Sequence, residues 1–231
     1  MTAPTPDLAS LRETTDRFLG AAAELDDAAL TEPSLLPGWS RGHVLAHVAR
    51  NADALVNVVE GRPMYADEAT RDADIERDAH RPLDVHLTDL RNTAERFRHS
   101  VTASDDWGRV VTLRNGVTDT VARLPFRRLV EVELHHVDLG IGRALEDLSD
   151  EFTEREIAFL AERFSGNGAI PPVTLSAPDG RTWRTGSTEA AADGPRSVTG
   201  PAADLLGWLA GRRDGAALAC SGGPLPTLPP L

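Results

Sequence analysis

The sequence predicts a two-domain α+β protein, a four-helix bundle over residues 1–148 followed by a small α+β domain over 149–231. Three observations predict it. The first part carries four apolar stripes at helical spacing. The second carries short β-branched runs set between Asp-Gly and Gly-Pro signals. A chain of 231 residues is long enough for two units that each bury a core.

The first helix, from Pro6 to about Leu25, spaces Leu8, Leu11, Leu19, Ala22 and Leu25 by threes, fours and their sums. An acidic stretch, DDAALTEPSLLPGW, leads to Ser40, whose hydroxyl suits the N-cap of a second helix over about Arg41 to Glu60. Gly61, Arg62 and Pro63 close that helix, and the charged connection beginning Pro63-Met64-Tyr65 has room for a short helix. Leu83, Leu87, Leu90, Ala94, Phe97 and Val101 mark a third long helix. The tract DDWGRVVTLRNGVTDTV reads either as a hairpin around Asn115-Gly116 or as an ordered loop. A fourth helix starts near Pro125 and reaches about Leu139, before Gly140 and Gly142. Four antiparallel helices with one long connection make a bundle, a scaffold that builds metal sites from facing helices.

In the second domain a helix over about Thr153 to Ser165 precedes strands in VTLSAP, RTWRTG and RSVTG. A last helix is expected over about Ala202 to Arg213, with ALAC as a final strand and GGPLPTLPPL as an extended tail.

Composition excludes several function classes. A net charge of −12, from 36 acidic and 24 basic side chains, repels phosphate backbones and anionic membranes, so no nucleic acid and no membrane are expected as partners. No run of eighteen apolar residues occurs and the N-terminus lacks a secretory pattern, which points to a cytoplasmic protein. The single cysteine, Cys220, excludes an internal disulfide framework and reads as an inert core thiol in an apolar run. Any metal must therefore be held by His, Asp or Glu. There is no Gly-x-Ser-x-Gly and no phosphate-binding glycine loop.

The segment LPGWSRGHVLAHVARN carries His43 and His47 four residues apart on the second helix, and EVELHHVDLG carries Glu131 and His135 four apart on the fourth. A four-residue step turns an α-helix by roughly 400°, so Glu131 and His135 point the same way. His136 is turned off that face, Glu133 faces elsewhere, and Asp138 lies close to the stripe. A Glu and a His from one helix with a His from another supply three nitrogen and oxygen ligands and leave a fourth position open, the plan of a catalytic zinc site. By spacing alone such a pair is usually an exposed ion pair. Trp39, beside a helix start, is expected as a hydrophobic lid on the bundle.

The motifs LPGWSRGHVLAHVARNADAL, PMY and RRLVEVELHHVDLG, with a second domain ending in GPAADLLGWLAGRRDG, resemble the mycothiol-dependent maleylpyruvate isomerase family over essentially the whole chain. The resemblance implies a DinB-like bundle and a divalent metal, zinc by the usual reading, held by His47, Glu131 and His135. His43 then lies beside the site or faces solvent. It also implies Arg212 as the catalytic arginine, with Arg213 as its one-residue alternative; on the residues alone Arg212 reads equally as a cation at a helix C-terminus.

Mycothiol is the implied thiol cofactor and a small anionic electrophile the implied substrate. The implied reaction converts maleylpyruvate to fumarylpyruvate: a metal-activated thiolate adds to the cis double bond, the resulting single bond rotates, and loss of sulfur restores a trans double bond. Arg212 would hold the oxygens on which charge builds, from the second domain facing the bundle. A monomer is expected. The alternatives are a mycothiol S-transferase acting on another electrophile and a non-catalytic, metal-dependent regulatory binding protein.

Overall fold

The computed structural model describes residues 3–189 and 194–230. They divide into two units, Met1–Arg143 and Ala144–Leu231.

The first unit contains α1 (Thr5–Ala22), α2 (Asp27–Leu30), α3 (Arg41–Val59), α4 (Glu68–Ala79), α5 (Leu83–Thr102), the strands β1 (Val110–Thr112) and β2 (Thr118–Thr120), and α6 (Leu124–Asp138). The four long helices α1, α3, α5 and α6 are those the periodicity predicts. Their apolar faces close over Phe18, Leu45, Phe97, Val101, Leu124 and Leu139, all buried. In α1 the inward stripe is Leu11, Thr14, Phe18 and Ala22, and the helix stops at Ala22, short of the expected Leu25. Leu8, Leu19 and Leu25 are only half-buried.

The connection after α3 does carry a helix: α4 runs twelve residues. Its polar sequence EATRDADIERDA buries only Ile75, Asp78 and Ala79, too few for a periodic stripe. Capping starts it, because the Asp67 side chain accepts from the Thr70 amide at 2.7 Å. Three devices then dock it. Gly42, in the first turn of α3, faces the Ala79 carbonyl so closely that a Cβ would collide with it. His43 serves as the side-chain partner of Ser40 in the α3 capping box and reaches Glu76 of α4 with its Nε2, 3.1 Å away. Asp78, 1% exposed, takes Arg77 Nε at 2.8 Å and Arg81 Nη2 at 2.5 Å, with Arg50 Nε at 3.6 Å. Arg50 and Arg81 also reach Asp89 of α5, at 2.5 and 3.2 Å. One charged network thus ties α3, α4 and α5.

Beside that network lies His86, buried on α5. Burial pulls its pKa below the ordinary value, and nearby Arg81 adds to this, against the opposing influence of the Ala79 carbonyl and of Asp89 and Asp78. The native state therefore keeps the ring neutral where the unfolded chain protonates it, below about pH 6.5. Its contribution to stability is present above that pH and is lost as pH falls through the window towards the depressed native pKa. Urea midpoints are expected to drop between pH 7.5 and 5.5, and the drop should be smaller in His86→Leu.

The tract after α5 is a hairpin. Val110 pairs with Thr120 and Thr112 with Thr118, antiparallel. The turn needs left-handed backbone at Asn115 (φ 59°) and Gly116 (φ 72°), the two residue types that adopt it most readily.

The second unit holds α7 (Asp150–Phe164), β3 (Val173–Ser176), β4 (Thr182–Thr185), β5 (Arg196–Thr199), α8 (Ala202–Leu209) and β6 (Ala219–Ser221). The sheet order is β4-β3-β5-β6, with β3 and β5 parallel and the outer pairs antiparallel. Leu160, Leu175, Val198, Leu205, Leu206 and Leu209 form its buried core. Two expectations need correction. The last helix ends at Leu209, because Gly211 turns left-handed (φ 70°) and the Arg212 amide returns to the Gly207 carbonyl at 2.7 Å, so Arg212 and Arg213 lie beyond the helix. Cys220 is half-exposed on the edge strand β6, which pairs only with β5, and is no core thiol. The tail beyond Ser221 has no regular structure as far as residue 230, and Arg196 Nη1 holds the Pro224 carbonyl at 2.5 Å. Among the described residues no helix is long and apolar enough to cross a membrane.

Candidate metal centre

Two helices of the first unit meet at the predicted residues. α3 carries His47 and α6 carries Glu131 and His135, and one ligand atom from each lies within 4.8 Å of the other two. Glu131 Oε2 stands 3.0 Å from His47 Nε2 and 3.3 Å from His135 Nε2. The two imidazoles meet edge to face with centroids 4.5 Å apart. Ligand atoms each about 2.1 Å from a tetrahedral zinc stand roughly 3.4 Å from one another, so this spacing needs little adjustment to admit an ion. The donor set, two imidazole nitrogens and one carboxylate oxygen, suits a borderline divalent cation and leaves a fourth position for a further ligand. The exposed-ion-pair alternative does not describe the site, because both imidazoles are buried and the third partner arrives from another helix.

Electrostatics prepares the three groups differently. Burial pushes His47 down to about 4, and the neighbouring His135 adds to this, so its ring is neutral at pH 7 as a metal ligand must be. Burial would raise Glu131, yet its hydrogen bonds with His135 and His47 hold it well below the ordinary carboxylate range. Burial also opposes a charge on His135, but the Asp138 and Glu131 carboxylates outweigh it and raise that ring. Asp138, fully buried, places Oδ2 2.8 Å from His135 Nδ1. That contact fixes the ring so that Nε2 faces the centre, the support a ligating histidine needs.

The other singled-out residues take separate places. His43 is engaged by Ser40 and Glu76, beside the site. Trp39, half-buried, lies 5.4 Å from the His47 ring and stacks on His43 at 6.2 Å, the position of a lid over the imidazoles. Glu133 points away from the centre, to Thr14 at 2.8 Å, Arg143 at 2.7 Å and Arg17 at 3.1 Å. His136 packs against Phe18 at 5.6 Å. In the second unit, Arg212 Nη1 donates to the Ala210 carbonyl at 2.7 Å. Arg213 is paired with Asp204 at 2.6 Å and Glu146 at 2.7 Å.

Sequence reading missed three residues around the centre. Arg71 of α4 reaches His47 Nδ1 with its Nη2 at 3.4 Å. Tyr65 keeps a neutral hydroxyl, its pKa raised by burial and by the Glu131 carboxylate. Arg128, 2% exposed, donates to Asn51 Oδ1 at 2.8 Å, and burial lowers its pKa to about 10. Arg128 precedes Glu131 by three residues and Asn51 follows His47 by four, so the pair forms the next layer of the bundle. That spacing was readable in advance. Nothing in the charged sequence of α4 separates Arg71 from its neighbours.

Comparison with known proteins gives concordant matches. The family model described as the mycothiol maleylpyruvate isomerase N-terminal domain matches residues 11–140, and that described as the MDMPI C-terminal domain matches residues 147–230. Two uncharacterized proteins of Mycobacterium tuberculosis, one from each of two strains, are each 29% identical over 238 residues, covering 92% of this chain and 88% of theirs. Crystal structures of the mycothiol-dependent maleylpyruvate isomerase and of a point variant of it superpose with TM-scores of 0.85 and 0.86. Both share 24% identity with this chain, over 100% of either chain, a likeness of fold.

Proposed function

Because the chain belongs to the mycothiol maleylpyruvate isomerase family, we propose that it is a metal- and mycothiol-dependent cis-trans isomerase converting maleylpyruvate to fumarylpyruvate. The observation that carries the reading is the convergence of His47, Glu131 and His135 from two helices. A divalent ion held there, zinc in our reading, supplies the Lewis acidity that ionises the thiol of mycothiol near neutral pH, and that thiol supplies reversible addition to the cis double bond.

The chain's own groups have distinct tasks. Neutral His47 offers a lone pair, His135 is aimed by Asp138, and ionised Glu131 brings the negative charge that balances a cation. Trp39 packs against the His47 imidazole as a lid on that side. Arg212 is the proposed catalytic arginine, orienting substrate oxygens through paired N–H groups, a role carried over from the family's short Ala-Gly-Arg element, with Arg213 as its one-residue alternative. We place the protein in the cytoplasm, a reading its single thiol supports, and take it as a monomer working in aromatic degradation.

The test is to incubate the zinc-loaded protein with mycothiol and maleylpyruvate. Formation of fumarylpyruvate without net loss of thiol supports the isomerase. Stoichiometric thiol consumption identifies a transferase, and absence of any turnover a binding protein. Independently, zinc is expected to raise the melting temperature and a chelator to reverse it, each tenfold excess over Kd adding about 1.4 kcal/mol.

A further inference from the structure

We propose that Arg71 is the residue that recognises a carboxylate of the substrate, and that the pocket it lines seats small carboxylic acids. This inference rests on the functional reading above, since it assigns the substrate subsite of the same centre. The pocket, about 600 Å³, is bounded by the connection after α3, the start of α4 and the β1–β2 hairpin. Its lining gathers four guanidinium groups, those of Arg62, Arg71, Arg109 and Arg114, in a chain whose net charge is −12. Such a gathering in an acidic protein suits an occupant that brings a carboxylate of its own.

The four guanidinium groups are not equivalent. Arg62 pairs with Glu60, Arg114 with Glu68, and Arg109 Nη2 donates to the Val59 carbonyl at 2.5 Å. Arg71 is itself largely buried, hydrogen-bonds Tyr65 and holds one carboxylate, that of Asp72 at 2.6 Å, whose own side chain is exposed to solvent and so is the partner a substrate carboxylate can replace. Its other terminal nitrogen touches His47, and its guanidinium carbon lies 5.9 Å from the Tyr65 ring centroid. Arg71 is therefore the cation that joins the pocket to the triad.

The contact with His47 has a further meaning. Arg71 can donate to Nδ1 only while that nitrogen carries a lone pair, whereas a neutral histidine that offers Nε2 to a metal carries its proton on Nδ1. His47 in its ligating tautomer thus releases the Arg71 donors, which a planar carboxylate matches as a bidentate partner.

The test compares zinc-loaded wild type, Arg71→Met and Arg71→Lys. Calorimetric titration with maleate, and with its dimethyl ester, reads the pocket without turnover, and metal analysis reads the centre. Maleate is expected to bind wild type, to weaken roughly 10- to 100-fold in Arg71→Met and to recover in part in Arg71→Lys, with zinc content unchanged and the diester, which has no carboxylate, indifferent to the substitution. In turnover, KM for the dianionic substrate rises by a similar factor while kcat changes less. Equal maleate affinity in wild type and Arg71→Met, an equal loss for the diester, or loss of zinc from Arg71→Met overturns the proposal. If maleate binds through Arg71 but maleylpyruvate is not isomerised, the functional reading fails and the pocket stands. If isomerisation proceeds with an unchanged KM in Arg71→Met, the pocket assignment fails alone.

Discussion

Glu131→Gln is expected to empty the centre while leaving the bundle folded. Glu131 is the triad's one anionic member, held ionised by two histidine hydrogen bonds. An amide of the same shape keeps a hydrogen-bonding oxygen but offers no charge to a cation. Zinc affinity should fall by at least roughly 1000-fold and activity with it. Asp138→Asn, which weakens the support that aims His135, should cost about 10- to 100-fold. Competition titration against a chromophoric chelator measures both, and far-ultraviolet circular dichroism checks the fold. Retention of wild-type zinc affinity in Glu131→Gln would remove the reason for assigning this site.

The largest loss of stability is expected from Asp78→Asn, far from any reacting atom. Asp78 is buried and faces three guanidinium groups. An amide leaves that cluster without its central charge, and removing one partner of a buried pair costs about 3–5 kcal/mol. Here the loss should be nearer 2–3 kcal/mol, because Arg50 and Arg81 keep Asp89 and Arg77 reaches solvent. Urea unfolding at pH 7.5 gives the value. Since α4 also carries Arg71, the variant should lose maleate affinity before it loses zinc.

How much of this was legible beforehand depends on where each feature's cause lies. The long helices were readable because burial follows their own periodicity, as in Leu90, Phe97 and Val101 of α5. The triad was nearly readable for the same reason: one helical step aligns Glu131 with His135, and only the partner on α3 needed the family resemblance. Of helix α4 only the room for a short helix was readable, not its extent or docking, because what holds it is tertiary: the bare backbone at Gly42, the His43–Glu76 contact and the Asp78 network. Arg71 inherits that invisibility. The end of α8 was missed because its apolar pattern gave no weight to a left-handed Gly211. Cys220 was misplaced because an apolar neighbourhood in sequence became an outer strand with one neighbour.

The close approach at Gly42 also limits how selectivity in this chain can change. With no space for even a methyl group between the start of α3 and the end of α4, the second helix cannot slide to meet a longer or shorter molecule. Reach must be altered through residue 71 itself, or through the hairpin turn at Asn115, which also lines the pocket and keeps its left-handed backbone so long as Asn or Gly stands there. Variation in that turn is the cheapest route by which the same metal-binding frame can be fitted to a different acid.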